Sequence, residues 1–174
     1  MFGLTESSAE RIFVGLGGNI GDPRRAMASA ISTLVRDADI EMIAVSSLYS
    51  TPPWGISEQP DFLNAVVELK TTLEPRQLLD KCLEVERSLK RERKERWGPR
   101  IIDLDIIAYG RREVRENDLQ LPHPRLAERA FVLVPLAEIA PEFVIGGNAV
   151  HELLDVVDTE GIERIANADS WLSD

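Results

Sequence analysis

Apolar positions recur along the chain with two spacings, alternate residues in some stretches and every third or fourth residue in others. The first spacing is typical of strands and the second of helices. Asp22 followed by Pro23 marks the start of one helix, and Pro75 opens a second. Strands are predicted over residues 11–16, 40–49, 62–70 and 101–109. The order β-α-β-β-α-β indicates a ferredoxin-like α+β sandwich.

The rest of the chain adds smaller elements to this core. A short hairpin is predicted over residues 112–121, and C-terminal helices over 127–139 and 149–157. The stretch 50–61 is rich in proline, and an irregular loop of this length in a compact domain is often functional. We expect one domain over residues 11–157. A loose leader (1–10) precedes it, and an acidic tail with helical or frayed character (158–174) follows it.

Composition limits the class of protein. The 174 residues carry a net charge of −10, which argues against a general nucleic-acid binder. No apolar run approaches the roughly 20 residues that span a bilayer, and the N-terminus lacks the features of a signal peptide. Cys82 is the single cysteine, so a disulfide scaffold is excluded and a reducing compartment is favoured. We expect a cytoplasmic monomer with small-molecule substrates.

The charge is unevenly distributed. Residues 86–100 contain seven basic and three acidic residues, a local charge of +4, which leaves −14 on the other 159 residues. A basic segment on an acidic protein favours a local anion site. The simpler interpretation, a solvated helix end with Glu–Arg pairs, holds for any single arginine of the segment better than for the whole cluster.

Asp103 and Asp105 give the sharpest chemical signal. Two residues apart on a strand, they share one face and lie roughly 6.6 Å apart. At an effective dielectric constant near 20, their carboxylates repel each other by about 2.5 kcal/mol. Divalent cations would compensate this repulsion, and carboxylates with substrate phosphates are the usual Mg²⁺ ligands. A pair of structural carboxylates bridged by arginines is the alternative.

Other residues extend the candidate site. Glu86 lies on the apolar face of its helix, where a carboxylate needs a partner, and an ion pair is as good an explanation as a ligand contact. Arginines 91, 93, 96 and 100 lead into the Asp strand and, beside a metal site, are typical of a polyphosphate clamp. No Rossmann or Walker A motif is present.

An aromatic ring and an amide suggest a second ligand. Phe62 and Asn64 share a strand face, which suits a flat heterocycle with donor and acceptor edges; a core Phe beside a core Asn is the simpler interpretation. His123 lies in a proline-flanked turn and is a candidate phosphate donor. With two His and one Cys, a zinc site is not expected.

Several long motifs in order resemble one family, the 6-hydroxymethyl-7,8-dihydropterin pyrophosphokinases of folate biosynthesis. The resemblance covers roughly residues 11–155. Six motifs carry the resemblance. Five of them are Gly17-Gly18-Asn19, Tyr49-Ser50-Thr51-Pro52-Pro53, Gln59-Pro60-Asp61-Phe62-Leu63-Asn64-Ala65, Pro122-His123-Pro124, and Arg129 with Phe131. The sixth runs from Arg91 to Asp105 and contains Arg91, Arg93, Arg96-Trp97-Gly98-Pro99-Arg100 and Asp103-Leu104-Asp105.

The resemblance implies a ferredoxin-like fold and transfer of the pyrophosphate of ATP to the pterin hydroxymethyl group, with release of AMP. It also implies residue roles. Asp103 and Asp105 resemble the ligands of two Mg²⁺ ions, and Arg91 and Arg93 catalytic groups. The ATP contacts would be Glu86, Arg91, Arg93, Trp97, Arg100, His123 and Arg129; the pterin contacts would be Thr51, Pro53, Trp54, Phe62, Asn64 and Phe131.

Three positions depart from the family pattern: Gly18 replaces a common serine, Trp54 a smaller apolar residue and Lys90 a frequent glycine. The last change is expected to stiffen the loop that follows. Two other function classes remain open. One is another metal-dependent glycosyl or nucleotidyl transferase with an Asp-x-Asp pair, and the other is a non-catalytic ferredoxin-like module that binds RNA or senses a small ligand.

Overall fold

A computed structural model describes residues 10–53, 58–89 and 101–173. The strands are β1 (Ile12–Gly18), β2 (Ile40–Val45), β3 (Leu48–Thr51), β4 (Phe62–Thr71), β5 (Asp103–Tyr109), β6 (Val114–Glu116), β7 (Leu119–Leu121), β8 (Val144–Ile145), β9 (Asn148–Ala149) and β10 (Glu163–Ala166). The helices are α1 (Pro23–Leu34), α2 (Pro75–Leu89), α3 (Ala130–Ile139), α4 (Val150–Asp155) and α5 (Ala168–Leu172), with a 3-10 turn at Leu126–Glu128 before α3.

A six-stranded antiparallel sheet organises the molecule. Its order is β10-β3-β4-β1-β5, and β2 also pairs with β4. The central strand β1 pairs with β4 on one side and with β5 on the other. This arrangement confirms the predicted ferredoxin-like sandwich. The predicted hairpin is present as β6 and β7, which pair with each other.

Alternation along the strands directs side chains to two separate cores. Ile12, Val14 and Leu16 of β1 pack with α1 and α2 on one face. Phe13 packs with α3 and α4 on the other. The starts of both predicted helices are confirmed, and the Asp22 side chain accepts a hydrogen bond from the Arg25 backbone N–H at the first turn of α1. Helices therefore cover both faces of the sheet.

The strand predicted over residues 40–49 is interrupted. β2 and β3 both pair with β4, and the register shifts between them. At the break, the Ser46 hydroxyl accepts a hydrogen bond from the Val66 backbone N–H at 2.9 Å. A side-chain oxygen thus replaces a backbone carbonyl of the ladder, which lets the strand bulge without leaving the Val66 N–H unpaired.

The C-terminal tail agrees with its prediction at the helix α5 and differs from it at a strand. Residues 158–174 were expected to be helical or frayed, but Glu163–Ala166 forms β10 on the edge of β3. α5 follows and buries Trp171, whose side chain is 1% exposed. Trp171 Nε1 donates to the Ser46 backbone oxygen at 2.9 Å. The indole and the pairing of β10 with β3 both hold this acidic segment against the sheet.

The predicted leader lies outside the described residues except for Glu10. The Glu10 carboxylate accepts hydrogen bonds from Arg112 at 2.7–3.0 Å. Among the described residues, no helix has the length and apolar character needed to cross a membrane.

Candidate active site

A cavity of about 130 Å³ opens on the α3 face of the sheet. Strands β1, β3, β4 and β5 supply its floor, and the segment from His123 to Val132 supplies the opposite wall. Its lining residues are Gly15, Leu16, Gly17, Thr51, Pro52, Phe62, Asn64, Ala65, Asp103, Asp105, Ile107, His123, Arg125, Leu126, Glu128, Arg129, Phe131 and Val132.

Two glycines of β1 create the space above the sheet. Gly17 lies in register between Asn64 and Asp103, and Gly15 lies opposite Asp105. A Cβ atom at Gly17 would lie 2.6 Å from Asn64 Oδ1. A side chain at this position would therefore collide with the amide, and glycine lets the backbone approach the site closely.

Phe62, Asn64 and Thr51 form one wall of the cavity. The Asn64 Nδ2 group donates to Thr51 Oγ1 at 2.7 Å in a buried hydrogen bond. This bond fixes the amide orientation and leaves the Asn64 carbonyl oxygen toward Gly17. Phe131 of α3 lies on the opposite wall, with the Arg129 guanidinium 5.6 Å from its ring centre. An aromatic wall with a fixed amide edge suits a flat, polar ring.

Asp103 and Asp105 reach the same cavity from β5. They stand on the edge strand of the sheet, and the Asp105 residue is exposed. Across the strand pair they face the two glycines, so no side chain of β1 fills the space beside them. The prediction that both carboxylates share one face of a strand is confirmed.

His123 enters the cavity as a neutral donor. Burial, followed by the charges of Arg129 and Arg125, lowers the pKa of His123 to about 4. Its Nδ1 atom accepts a hydrogen bond from the Arg125 backbone N–H at 3.2 Å. In the neutral ring the proton therefore resides on Nε2, which is available to donate to a ligand.

Asn19 ties the end of β1 to the proline-rich loop. Its Nδ2 group donates to Gln59 Oε1 and to the Pro60 carbonyl oxygen, both at 2.9 Å. The Asn19 side chain is buried. It therefore holds the loop in place just before Phe62 enters β4.

Other predicted site residues do not line the cavity. Pro53 is half-buried outside it, and its neighbour Pro52 lines it instead. Glu86 is buried on α2, beside Cys82. Burial, then the charges of Glu86 and Asp105, raises the pKa of the Cys82 thiol to about 12. Trp54, Arg91, Arg93, Trp97 and Arg100 lie outside the described residues.

The structure adds residues that the sequence reasoning missed. Gly15 and Gly17 at alternate positions of one strand were a usable signal, because two residues without side chains on one face leave a hollow. Arg125 and Glu128 also line the cavity. Nothing in their spacing set them apart from other surface charges.

Fold and cavity together define a ligand-binding α+β sandwich whose site combines aromatic rings with acidic and basic side chains. A family model described as 7,8-dihydro-6-hydroxymethylpterin-pyrophosphokinase matches residues 13–141. The chain belongs to this family.

Relatives of high similarity carry the corresponding name. A 2-amino-4-hydroxy-6-hydroxymethyldihydropteridine pyrophosphokinase of Methylorubrum extorquens is 50% identical over 155 residues, which cover 89% of this chain and 98% of the relative. The protein of the same name from Pseudomonas aeruginosa is 40% identical over 160 residues, covering 91% and 99%.

Solved structures share the fold at low identity. An HPPK-DHPS structure in complex with substrates aligns with a TM-score of 0.71 at 12% identity, covering 90% of this chain and 46% of that one. Plasmodium falciparum HPPK-DHPS with pterin and p-hydrobenzoate aligns with a TM-score of 0.67 at 15% identity, covering 90% and 48%. The present chain thus spans about half of those longer chains.

Proposed function

We propose that the cavity on the α3 face is the active site of a pyrophosphokinase. As a member of its family, the chain transfers the pyrophosphoryl group of ATP to the hydroxymethyl group of 6-hydroxymethyl-7,8-dihydropterin in folate biosynthesis. The proposal rests on the proximity of aromatic and acidic side chains in one cavity. Phe62, Asn64 and Phe131 line the same cavity as Asp103 and Asp105, so a ring-binding wall and a polyphosphate-binding wall meet there.

The pterin ring is assigned to the space between Phe131 and the sheet. Phe62 and Phe131 supply aromatic faces for stacking, and Asn64, with its amide fixed by Thr51, supplies the polar edge. Pterin stacking on one aromatic face should resemble that of a nucleobase, worth roughly 1–3 kcal/mol. Pro53 and Trp54 remain proposed contacts of the pterin ring.

The triphosphate is assigned to the side lined by Asp103, Asp105, His123 and Arg129. ATP brings about four negative charges at neutral pH. The described lining contributes three carboxylates and two guanidinium groups, so it does not by itself favour a polyanion. We assign the missing positive charge to Arg91, Arg93 and Arg100, which lie outside the described residues, and to bound cations; Trp97 and Glu86 remain proposed ATP contacts.

The donor set fits Mg²⁺. Asp103 and Asp105 offer oxygen ligands beside glycines that leave the space open. Among the described residues, no group of three or more His, Cys, Asp or Glu is placed to hold a metal ion. Mg²⁺ commonly takes one or two carboxylates and completes its shell with waters and substrate phosphates. Two bound Mg²⁺ ions would neutralise the polyphosphate and lower the pKa of the attacking hydroxyl.

The chain's own contribution to the reaction is positioning. The hydroxymethyl oxygen attacks the β-phosphorus in line and releases its proton to water, the bond from that phosphorus to the α-phosphate oxygen breaks, and AMP leaves with that oxygen. The rings hold the pterin so that this hydroxyl points toward the carboxylates, and His123 donates its Nε2 proton as a hydrogen bond to a phosphate oxygen. Arg129, and Arg91 and Arg93 beyond the described residues, offset charge on the transferred group.

Product analysis tests the reaction. The protein is incubated with ATP, Mg²⁺ and 6-hydroxymethyl-7,8-dihydropterin, and phosphorus NMR follows the phosphates. AMP and the pterin pyrophosphate should appear together. ADP, or a nucleotide attached to the acceptor, would instead indicate another transferase, and binding without turnover a non-catalytic module.

The Phe131→Ala variant tests the assignment of the ring site. It should weaken pterin binding by roughly 1–3 kcal/mol and leave binding of a non-hydrolysable ATP analogue near normal. Equal losses for both ligands would contradict the assignment.

The wider setting is also a proposal. The buried free thiol of Cys82 supports a reducing compartment such as the cytoplasm. We expect a monomer that binds neither nucleic acid nor membranes, which light scattering and binding assays can check.

A further inference from the structure

Glu138 occupies a place where a carboxylate is disfavoured. It lies in the last turn of α3, where the negative end of the helix dipole opposes an acidic side chain. The structure offsets this cost with a set of donors. The Ser47 backbone N–H donates to both carboxylate oxygens at 3.0 Å, the Ser47 hydroxyl donates at 2.9 Å, and the Tyr49 hydroxyl donates at 2.6 Å.

These bonds join two elements that form opposite walls of the cavity. Ser47 lies in the break between β2 and β3, Tyr49 lies in β3, and Glu138 belongs to α3. Tyr49 lies in register with Asn64, and Thr51, two residues further on, shares its strand face. The β3 side of the contact thus leads directly to the hydrogen-bonded pair of Thr51 and Asn64.

The α3 side leads to the aromatic ring. Phe131 precedes Glu138 by seven residues, so the two lie on one face of the helix and about 10.5 Å apart along it. α3 therefore packs on the sheet through Leu133 and Leu136 in its middle, contacts β3 through Glu138 at its C-terminal end, and faces the sheet across the cavity at its N-terminal end. Any tilt of the helix at Glu138 changes the gap at Phe131.

We propose that Glu138 is a positioning residue of this cavity. By holding α3 against β3, it sets the distance between Phe131 and the sheet, and so the width available to a flat ring. The inference rests on the proposed assignment of the ring site. A stacked ring tolerates little change in spacing, whereas the long side chain of Arg129 can follow a small movement of the helix.

Two features support a specific role for the Tyr49 contact. Tyr49 is 6% exposed. Burial first, and the hydrogen bond to Glu138 second, raises its pKa, so its hydroxyl stays protonated and donates. Arg164 of β10 approaches the same carboxylate at 3.9 Å. The contact therefore combines α3, β3 and the C-terminal strand.

Glu68 offers a matched control. Its carboxylate lies on the α3 side of the sheet and is buried, whereas Glu138 is exposed, and it accepts two hydrogen bonds from Arg11, each at 2.9 Å. It does not line the cavity. Glu68→Gln disturbs a part-buried ion pair, as Glu138→Gln disturbs a part-buried hydrogen-bond set, without touching the link between α3 and β3.

The test uses the full chain with Mg²⁺ and two probes, 6-hydroxymethylpterin and a non-hydrolysable ATP analogue. Calorimetry gives Kd for each, and thermal unfolding gives Tm. Glu138→Gln should raise the pterin Kd about tenfold, since a displacement below 1 Å already disturbs a positioned ligand. Tyr49→Phe, which removes one hydroxyl, should raise it about threefold. Neither should change the Kd of the ATP analogue by more than about twofold, as for a distant site.

Four outcomes overturn the proposal. If the pterin Kd is unchanged in Glu138→Gln and Tyr49→Phe while Phe131→Ala weakens pterin binding, Glu138 has no positioning role and the assignment of the ring site still holds. If the pterin Kd is unchanged in Phe131→Ala, the assignment of the ring site is wrong, and so is the role of Glu138 that rests on it. An equal rise for both probes, or the same rise in Glu68→Gln, assigns the effect to general destabilisation. If Glu138→Gln does not fold, Tyr49→Phe carries the test.

Discussion

The charge state of His123 follows from its neighbours rather than from its own chemistry. Burial and two nearby guanidinium groups disfavour the protonated ring, so the pKa falls to about 4. At neutral pH the ring is an uncharged donor, with Nδ1 engaged by the Arg125 backbone N–H. It suits hydrogen bonding to an anion better than ion pairing.

A pH-dependent loss of stability should follow. The folded pKa of about 4 lies below that of a free histidine, about 6.5. Between pH 6.5 and pH 4, His123 takes up a proton in the unfolded chain but not in the folded protein. The stabilising contribution of His123 is therefore complete above pH 6.5 and is lost as the pH falls to about 4. Urea unfolding from pH 7 to pH 4.5 should show a shallower decline for His123→Gln. As a control, His151→Gln, outside the cavity, should leave the fall in the free energy of unfolding with decreasing pH as in the wild-type protein.

The two carboxylates of β5 give the second prediction at this scale. Asp103→Asn and Asp105→Asn should each reduce pyrophosphoryl transfer by at least about a hundredfold, because they remove charge from the proposed metal site. Tm should stay unchanged or rise slightly, since like-charge repulsion is relieved. AMP release and Tm are measured on the same preparations. An active but unstable Asp103→Asn protein would instead identify the pair as structural carboxylates bridged by arginines.

At the scale of elements, β1 has opposite characters on its two faces. Toward α1 and α2 it presents Ile12, Val14 and Leu16, which fill a core. Toward the cavity it presents Gly15 and Gly17, which leave space. The same strand therefore stabilises the sheet and provides the floor of the site.

The two glycines should respond differently to alanine. A Cβ at Gly17 would lie 2.6 Å from Asn64 Oδ1, whereas one at Gly15 would lie 3.2 Å from Ile107 Cδ1, the end of a flexible side chain. Gly17→Ala should cost about 1–3 kcal/mol of stability and weaken pterin binding, and Gly15→Ala should cost less. Chemical unfolding and pterin titration measure both. A larger loss for Gly15→Ala would show that the Asn64 contact is not the constraint.

Elements with a strong local signal were predictable from the sequence. α1 and α2 begin at the predicted prolines, and β4 spans Phe62–Thr71 as its alternation indicated. The break between β2 and β3 was not predictable, because Ser46 completes the ladder through contacts with distant residues, Val66 and Trp171. In the tail, helical character is present in α5, whereas β10 was not predicted, because this strand forms on the edge that β3 offers.

The candidate site was predicted where chemistry is unusual for its position. Paired carboxylates on an apolar strand and an amide among apolar neighbours both line the cavity. Glu138 carried no such signal, because the cost of one acid in the last turn of a helix is too small to mark the residue as unusual in the sequence. Its role depends on Ser47 and Tyr49, which lie far from it in the chain.

At the scale of the whole molecule, the C-terminal segment closes the side of the sheet that borders the site. β10 covers β3, and the turn at Gly161 packs so closely on Pro52 that a Cβ there would lie 2.7 Å from Pro52 Cγ. Trp171 then fills a space beside Ser46. The last part of the chain thus supports a wall of the cavity without contributing a lining residue among those described.

Trp171 should be a major anchor of this segment. Trp171→Phe leaves the Ser46 carbonyl without its indole donor and opens a gap, so we expect a loss of about 2–4 kcal/mol in the free energy of unfolding. Ile165→Ala, at a half-exposed position of the same segment, should cost less than about 1 kcal/mol. Denaturant titration compares them. Equal losses would mean that the segment contributes through strand pairing rather than through the indole.

The late position of β10 in the chain has a consequence for biosynthesis. A ribosome makes β3 early and β10 near the end, at about 5–20 residues per second, so β3 spends roughly ten seconds with an open edge. An unpaired edge is a template for pairing with other chains. In the interval before Ala166 emerges and covers β3, the nascent protein therefore presents an edge with which other chains can pair.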